Sequence, residues 1–464
     1  MASQHHSRNP SSRAGLPRRP TKGPLDAIDD PLDTSETTAP SHSSLQSSLL
    51  PQSPTNQVVK PRQQAALQIE RLPLEQAQPG EEPVGAERDL SFLLDASIYH
   101  SLSQLEVPGP FRKPFLPPPT REAQLTGSLE QLDVLLSQCD FLRGAQLAGS
   151  ILTSGTVQPT DAKTIFRLLA VRYSCLELSG NLLLAAQEAK ALEDLSSTFY
   201  YDDSNPEQGE GEDVEKPRKI PHHVMPFALR LQALRLQSIG FSDPRRGVTT
   251  LYDTASECRE HLSASATSSR ERLLWTERLQ EVSIRVVNAL IEMGDLECAI
   301  RTLATVKPRD AEHMAVWTAR MVLLRIKAGD VGNAHELIKS ATLNSPERLA
   351  LESLLAVAEG RYDVASQKLS ECESEADLAL TALVKQNLAV AYLYKGEVRK
   401  ARQMLEELVD DGHSFQTLTI NLATVYDLSS DRARDLKMAM ISKIAGQRKD
   451  SGYLRSFVNA DFKL

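Results

Sequence analysis

The chain carries little from which an active site could be built. Its 464 residues include two tryptophans, and five cysteines (Cys139, Cys175, Cys258, Cys298, Cys372) that are odd in number and far apart. Such thiols read as reduced and mostly buried, as in a cytosolic protein. There is no P-loop glycine cluster, no GxSxG and no HExxH. His222 and His223 have no third ligand at metal-site spacing and read as a solvated pair. Trp275 and Trp317 lie on apolar helical faces and read as core. No catalytic residue, metal ligand or cofactor is assigned, and enzyme activity is not expected. A net charge of −9 without a basic stripe disfavours nucleic acid. No apolar run approaches the ~18–20 residues that span a bilayer, and no segment reads as a signal peptide. The basic stretch Arg8, Arg13, Arg18, Arg19 and Lys22 contains Pro10, Pro17 and Pro20, with Pro24 just beyond, which forbid the amphipathic helix of a mitochondrial presequence.

Proline is scarce over most of the chain. Eighteen of the 26 prolines fall in residues 1–120, together with serine-rich runs such as 41–49. Such a stretch buries too little apolar surface to offset its ordering entropy, so 1–88 is expected to be a disordered tail. Residues 89–121 form a linker with one apolar island, 90–102, which either packs on its own chain or docks on a partner. Degenerate helical repeats are expected over 122–201. An acidic, disordered loop follows over 202–220, with seven acids and one lysine in 202–216. Helical repeats resume over 221–464.

The repeats declare themselves through glycine and alanine. Gly294/Ala299, Gly329/Ala334, Gly360/Ala365 and Gly396/Ala401 recur at steps of 35, 31 and 36 residues, the spacing of tetratricopeptide (TPR) hairpins. Each glycine is suited to a left-handed helix end, and each alanine lets the second helix approach the first. Gly180/Ala185 is a further pair, and Asp140 with Ala145 resembles another turn. The segment 387–392 (NLAVAY) returns as 421–426 (NLATVY), 34 residues on, but Ser430 and Asp435 replace the glycine and alanine, as befits a terminal repeat. The expected fold is all-α: a TPR-like α-solenoid, a right-handed superhelix of helical hairpins, with a long disordered tail.

A TPR array holds other proteins. Arg285, Arg320, Asn387 and Asn421 each stand nine residues before the turn of their repeat, so they are expected to line the concave face as a partner-binding row. The alternative is that the asparagines bond neighbouring helices and merely stabilise the stack. A co-chaperone that clamps a peptide carboxylate is a second functional class. Its clamp is incomplete here, since Thr417 stands where a lysine is wanted and Leu351 fills the equivalent inner position. A hydrolase with a helical lid fails for want of a nucleophile frame.

Two segments carry a more specific likeness. Residues 225–231 (MPFALRL), and 421–430 (NLATVYDLSS) followed by a helix ending Ile444-Ala445-Gly446, resemble the subunit 12 family of the trafficking protein particle (TRAPP) complex. Lys395-Gly396-Glu397-Val398-Arg399-Lys400 lies at a similar turn. The resemblance covers about 122–464. It implies a non-catalytic subunit of a vesicle-tethering complex in transport from the endoplasmic reticulum to the Golgi. Its partners would be other TRAPP subunits. It would lie in the cytoplasm, peripheral to those membranes, and associate with them through the complex rather than by a span of its own.

Overall fold

In the computed structural model, the described residues are 88–105, 107–120, 124–202, 220–264, 268–308, 310–375 and 378–451. The expected tail, apart from Arg88, and most of the acidic loop lie outside them. Among the described residues there are sixteen α-helices. A first block comprises α1 (Leu125–Ser137), α2 (Phe141–Thr153), α3 (Ala162–Leu178) and α4 (Leu182–Glu188). Two short antiparallel strands follow, β1 (Tyr201–Asp202) and β2 (His222–His223), in the register Tyr201 to His223 and Asp202 to His222. They pin together the two ends of the acidic segment.

The remaining helices run as consecutive hairpins. They are α5 (Phe227–Gly240) with α6 (Pro244–Ser263), α7 (Ser269–Glu292) with α8 (Leu296–Thr305), and α9 (Ala311–Lys327) with α10 (Val331–Ser340). Then come α11 (Ser345–Ala358) with α12 (Tyr362–Glu375), α13 (Leu378–Tyr394) with α14 (Val398–Asp410), and α15 (Gln416–Ser429) with α16 (Ala433–Ser451). Each helix packs on the next, and α5 touches α7 as α9 touches α11. The fold is therefore an all-α helical solenoid. Its carboxy-terminal core is divided accordingly into local clusters: Val322, Ala334, Ile338, Leu351 and Leu355 join α9 to α11, and Leu369, Cys372, Val384 and Leu388 join α12 to α13. Each hairpin buries its apolar stripe against its neighbours, as a one-dimensional array requires.

The turns show why the sequence folds this way. Gly294, Gly329, Gly360 and Gly396 have φ between +74° and +82°. At each, the amide after the glycine bonds back across a full turn, as Asp295 N–H does to the Leu290 carbonyl at 2.9 Å and Glu397 N–H to Tyr392 at 2.9 Å. This is the Schellman closure. Asp295 and Asp330 then cap the following helix through the amides of Cys298 and Asn333, whereas Glu397 makes no such bond. Ala299, Ala334, Ala365 and Ala401 are completely buried. The same closure is built without glycine at Cys139 and Ser242, both at φ +54°. The Asp140 amide reaches Leu135, and the Asp243 amide reaches Ser238. Ser430 departs from the pattern, its backbone extended at φ −152°, and Asp435 is exposed and paired with Arg432 at 3.2 Å.

The amino-terminal block is held by a buried ion pair. Arg172 and Glu188 are 2% and 0% exposed at the side chain and meet in two hydrogen bonds of 2.5 Å. Arg172 also donates to the carbonyls of Ala145 at 2.8 Å and His100 at 3.1 Å, while His100 N–H donates to Glu188 at 2.8 Å. Gly149 makes room for the guanidinium; a Cβ there would lie 2.3 Å from Nη1. The pair ties α2, α3 and α4 to the island 90–102. That island is packed on its own chain. Leu90 and Leu93 are buried, the Leu90 amide bonds Pro159 at 3.0 Å, and Tyr99 lies over the Arg172 guanidinium.

Gly396→Ala is expected to cost about 1 kcal/mol, because nothing lies within 4 Å of the new Cβ and only the left-handed backbone is penalised. Ser242→Gly should change stability in the opposite direction by about 0.5–1 kcal/mol; urea midpoints of the two variants test the pair of signs. Arg172→Met should cost about 3–5 kcal/mol by leaving the buried Glu188 carboxylate without its guanidinium, and adding Glu188→Leu should recover most of that loss, as read by chemical denaturation.

Candidate protein-interaction surface

The sequence-expected row lies on the first helices of successive hairpins. Arg285 is on α7, Arg320 on α9, Asn387 on α13 and Asn421 on α15. Leu351 occupies the corresponding position on α11 and is buried, so the polar row is interrupted in the middle. On its amino-terminal side the two arginines are already engaged with the protein. Arg285 pairs with Glu281 one turn away at 3.2 Å. Arg320 is half-buried, and desolvation draws its guanidinium below its usual range.

On the carboxy-terminal side the asparagines stand on neighbouring helices. Thr417, one turn before Asn421, bonds through its hydroxyl to Gln386, next to Asn387, at 3.0 Å. Both asparagines are half-buried. Among the described residues, neither amide side chain makes a hydrogen bond, although the buried amide of Gln237 is bonded to two main-chain carbonyls, at 3.1 and 2.7 Å. The face they share is apolar at its ends. Leu383 lies one turn before Asn387 and is 45% exposed; Tyr394 and Leu428, seven residues after each asparagine, are 62% and 69% exposed. A seven-residue step returns to the same side of a helix. α13 therefore presents Leu383, Asn387, Val390 and Tyr394 on one face, and α15 presents Thr417, Asn421, Thr424 and Leu428. Sequence reasoning missed Tyr394 and Leu428; the NLAVAY and NLATVY repeat, extended by two residues, contained the signal. Tyr394 also stacks on Tyr362 with ring centres 4.8 Å apart.

The arrangement suits recognition of an extended chain. Paired amides can each donate to and accept from a peptide backbone, while exposed tyrosine and leucine offer apolar contact on either side. It does not suit a carboxylate clamp. The Thr417 hydroxyl is engaged with Gln386, and no cation stands in its place.

Two thiols and two imidazoles of the interior are held in their neutral forms. Burial pushes the Cys175 and Cys258 thiols up to about 12. His223 was expected in solvent; instead β2 carries it inward, where its ring stacks on Tyr200 and accepts from the Met225 amide at 3.1 Å. Burial, followed by the nearby Arg230 charge, lowers it to about 4. His261 stacks on Trp275 with ring centres 3.8 Å apart, and burial, aided by His222 and Arg278, lowers it to about 4 as well. Trp275 is core, and Trp317 is half-buried with its indole N–H bonded to Leu303. Among the described residues no cluster of three metal-ligating side chains occurs, and no helix is long and apolar enough to cross a membrane. The two depressed histidines set a pH dependence. Unfolded imidazoles take up protons near 6.5 while the folded ones do not, so this contribution is complete above that pH and is lost as pH falls toward 4. The melting temperature should fall over that window, and His261→Phe, which keeps a ring against Trp275, should flatten the fall.

No protein-family model matches the chain. A segment of 253 aligned residues, 49% of this chain, is 22% identical to trafficking protein particle complex subunit 12 of Homo sapiens, and covers 34% of that protein. The corresponding protein of Mus musculus is likewise 22% identical over 253 residues, with 32% of its length covered. The chain thus matches about a third of the length of these curated relatives.

Proposed function

We propose that this chain is a non-catalytic scaffold subunit of a TRAPP-type vesicle-tethering complex in transport from the endoplasmic reticulum to the Golgi. In this reading it sits in the cytoplasm, peripheral to those membranes, and reaches them through the assembly. Its partners are other subunits, and the face formed by Asn387, Asn421, Leu383, Tyr394 and Leu428 holds an extended segment of one of them. The distant likeness to subunit 12 supports the assembly. The observation that supports the face is that two half-buried amides, at the same place on adjacent helices, have no hydrogen bond among the described residues. A half-buried amide left so is an incomplete site, and a peptide backbone completes it. Arg285 and Arg320 add positive charge farther along the row. Their engagement with the protein's own groups makes them contributors to charge complementarity rather than the anchors.

The test is the double change Asn387→Ala with Asn421→Ala in the full chain. The unaltered protein should co-purify with TRAPP subunits. The double variant should bind them more weakly by about 1–3 kcal/mol, measured by titration against the recovered partner. Its melting temperature should stay near that of the parent, because no internal hydrogen bond is removed. Recovery of chaperones in place of tether subunits would overturn the assembly. Unchanged affinity would overturn the face alone.

A further inference from the structure

The segment between the apolar island and α1 does more than connect them. Residues 104–105 and 107–113 are tied to one another by hydrogen bonds. The Gln104 side-chain amide donates to the Lys113 carbonyl and accepts from the Lys113 amide at 3.1 Å. Arg112 closes the interior of the turn, donating to the carbonyls of Val107 at 2.7 Å and Leu105 at 2.8 Å. At the tip, Pro108, Gly109 and Pro110 lead into a single 3-10 turn, Gly109–Phe111, whose last residue is an aromatic. Two prolines in three residues limit the shapes available to this tip, so little entropy is lost when it docks.

The two ends of this segment are held very differently. On one side lies the amino-terminal block. Arg88 pairs with Asp202 at 3.3 Å, the buried Arg172–Glu188 pair grips His100, Lys113 pairs with Asp140 at 3.2 Å, and the Leu116 carbonyl accepts from Gln146 at 3.3 Å. On the other side, the 3-10 turn lies against α16, the last helix. Phe111 packs there on the cluster formed by Leu418, Leu422, Tyr426, Met440 and Ile444. The ring is half-buried. One end of the segment is anchored by ion pairs and a buried core, the other by apolar contact around a phenyl ring. No other hairpin packs beyond α16 among the described residues, and the last turn of the array already departs from the pattern at Ser430.

We propose that the described residues 107–113, bonded back to Gln104 and Leu105, are a latch, built on the amino-terminal block and closing on the terminal hairpin α15–α16 through Phe111. Because the chain on both sides of the latch, at His100 and at Leu116, is bonded to the amino-terminal block, opening at Phe111 frees the terminal hairpin while the block stays folded. A partner that binds the same apolar surface must displace this ring first, so its apparent affinity is reduced by the closed fraction.

Hydrogen exchange of the full-length protein tests this. Phe111→Ala should raise amide exchange in α15 and α16 by about tenfold and leave α2 and α3 unchanged. Phe111→Leu, which keeps an apolar side chain of similar reach, should restore most of the protection. Gln104→Ala, which loosens the latch but keeps the ring, should fall between the two. Unchanged exchange in α16 after Phe111→Ala would overturn the latch. So would an equal rise in α2 and α3, since Phe111 would then be part of one common core rather than a local closure.

Discussion

The buried pair of Arg172 and Glu188 is the constraint on which the amino-terminal half depends. Taking both charges out of water is costly, and the arrangement is tolerable only because every strong donor and acceptor around it is used. The guanidinium serves Glu188, Ala145 and His100 at once; the carboxylate in turn receives the His100 amide. Four separate stretches of chain meet at this point, and one of them is the linker island. Gly149 has no side chain because the guanidinium occupies that space. A hydrophobic pair could be as stable, but it would not specify which backbone carbonyl lies where. Here the ion pair fixes where the linker island lies against α2, α3 and α4.

The carboxy-terminal hairpins are held on a different principle. Their cores are small and local, each shared by adjacent helices. Their regularity comes from the turn, where a left-handed residue, a Schellman closure and a buried alanine recur together. Cys139 and Ser242 show that the closure is a property of the backbone and not of glycine as such. Glycine makes it inexpensive, and a non-glycine residue accepts strain to reach the same hydrogen bonds. The amino-terminal block therefore belongs to the same construction even where its sequence looks irregular.

These two principles also divide the protein by role. The block with the buried ion pair holds the linker firmly. The hairpins, each stabilised by its neighbours, are free to vary the surface of their first helices. In α13 and α15 that freedom is spent on a repeated face that carries one amide on each helix and exposed apolar groups at Leu383, Tyr394 and Leu428. Cys175, Cys258, His223 and His261 are held in their neutral forms by burial.

The sequence by itself determined the all-α class and the places of the hairpin turns, because a left-handed helix end and a close helix approach restrict residue type at single, countable positions. It also placed Asn387 and Asn421 on equivalent positions, since a repeat read from sequence is already a statement of equivalence. It could not decide whether their amides were consumed internally, nor that Arg285 would be tied to Glu281 and Arg320 half-buried. Those outcomes depend on which side chains from other segments lie within reach. The packing of the 90–102 island on its own chain, the inward turn of His223 and the approach of Phe111 to the last helix were likewise decided by tertiary structure. Each joins residues far apart in the chain, and a contact of that kind leaves no periodicity in either partner from which the other could be read.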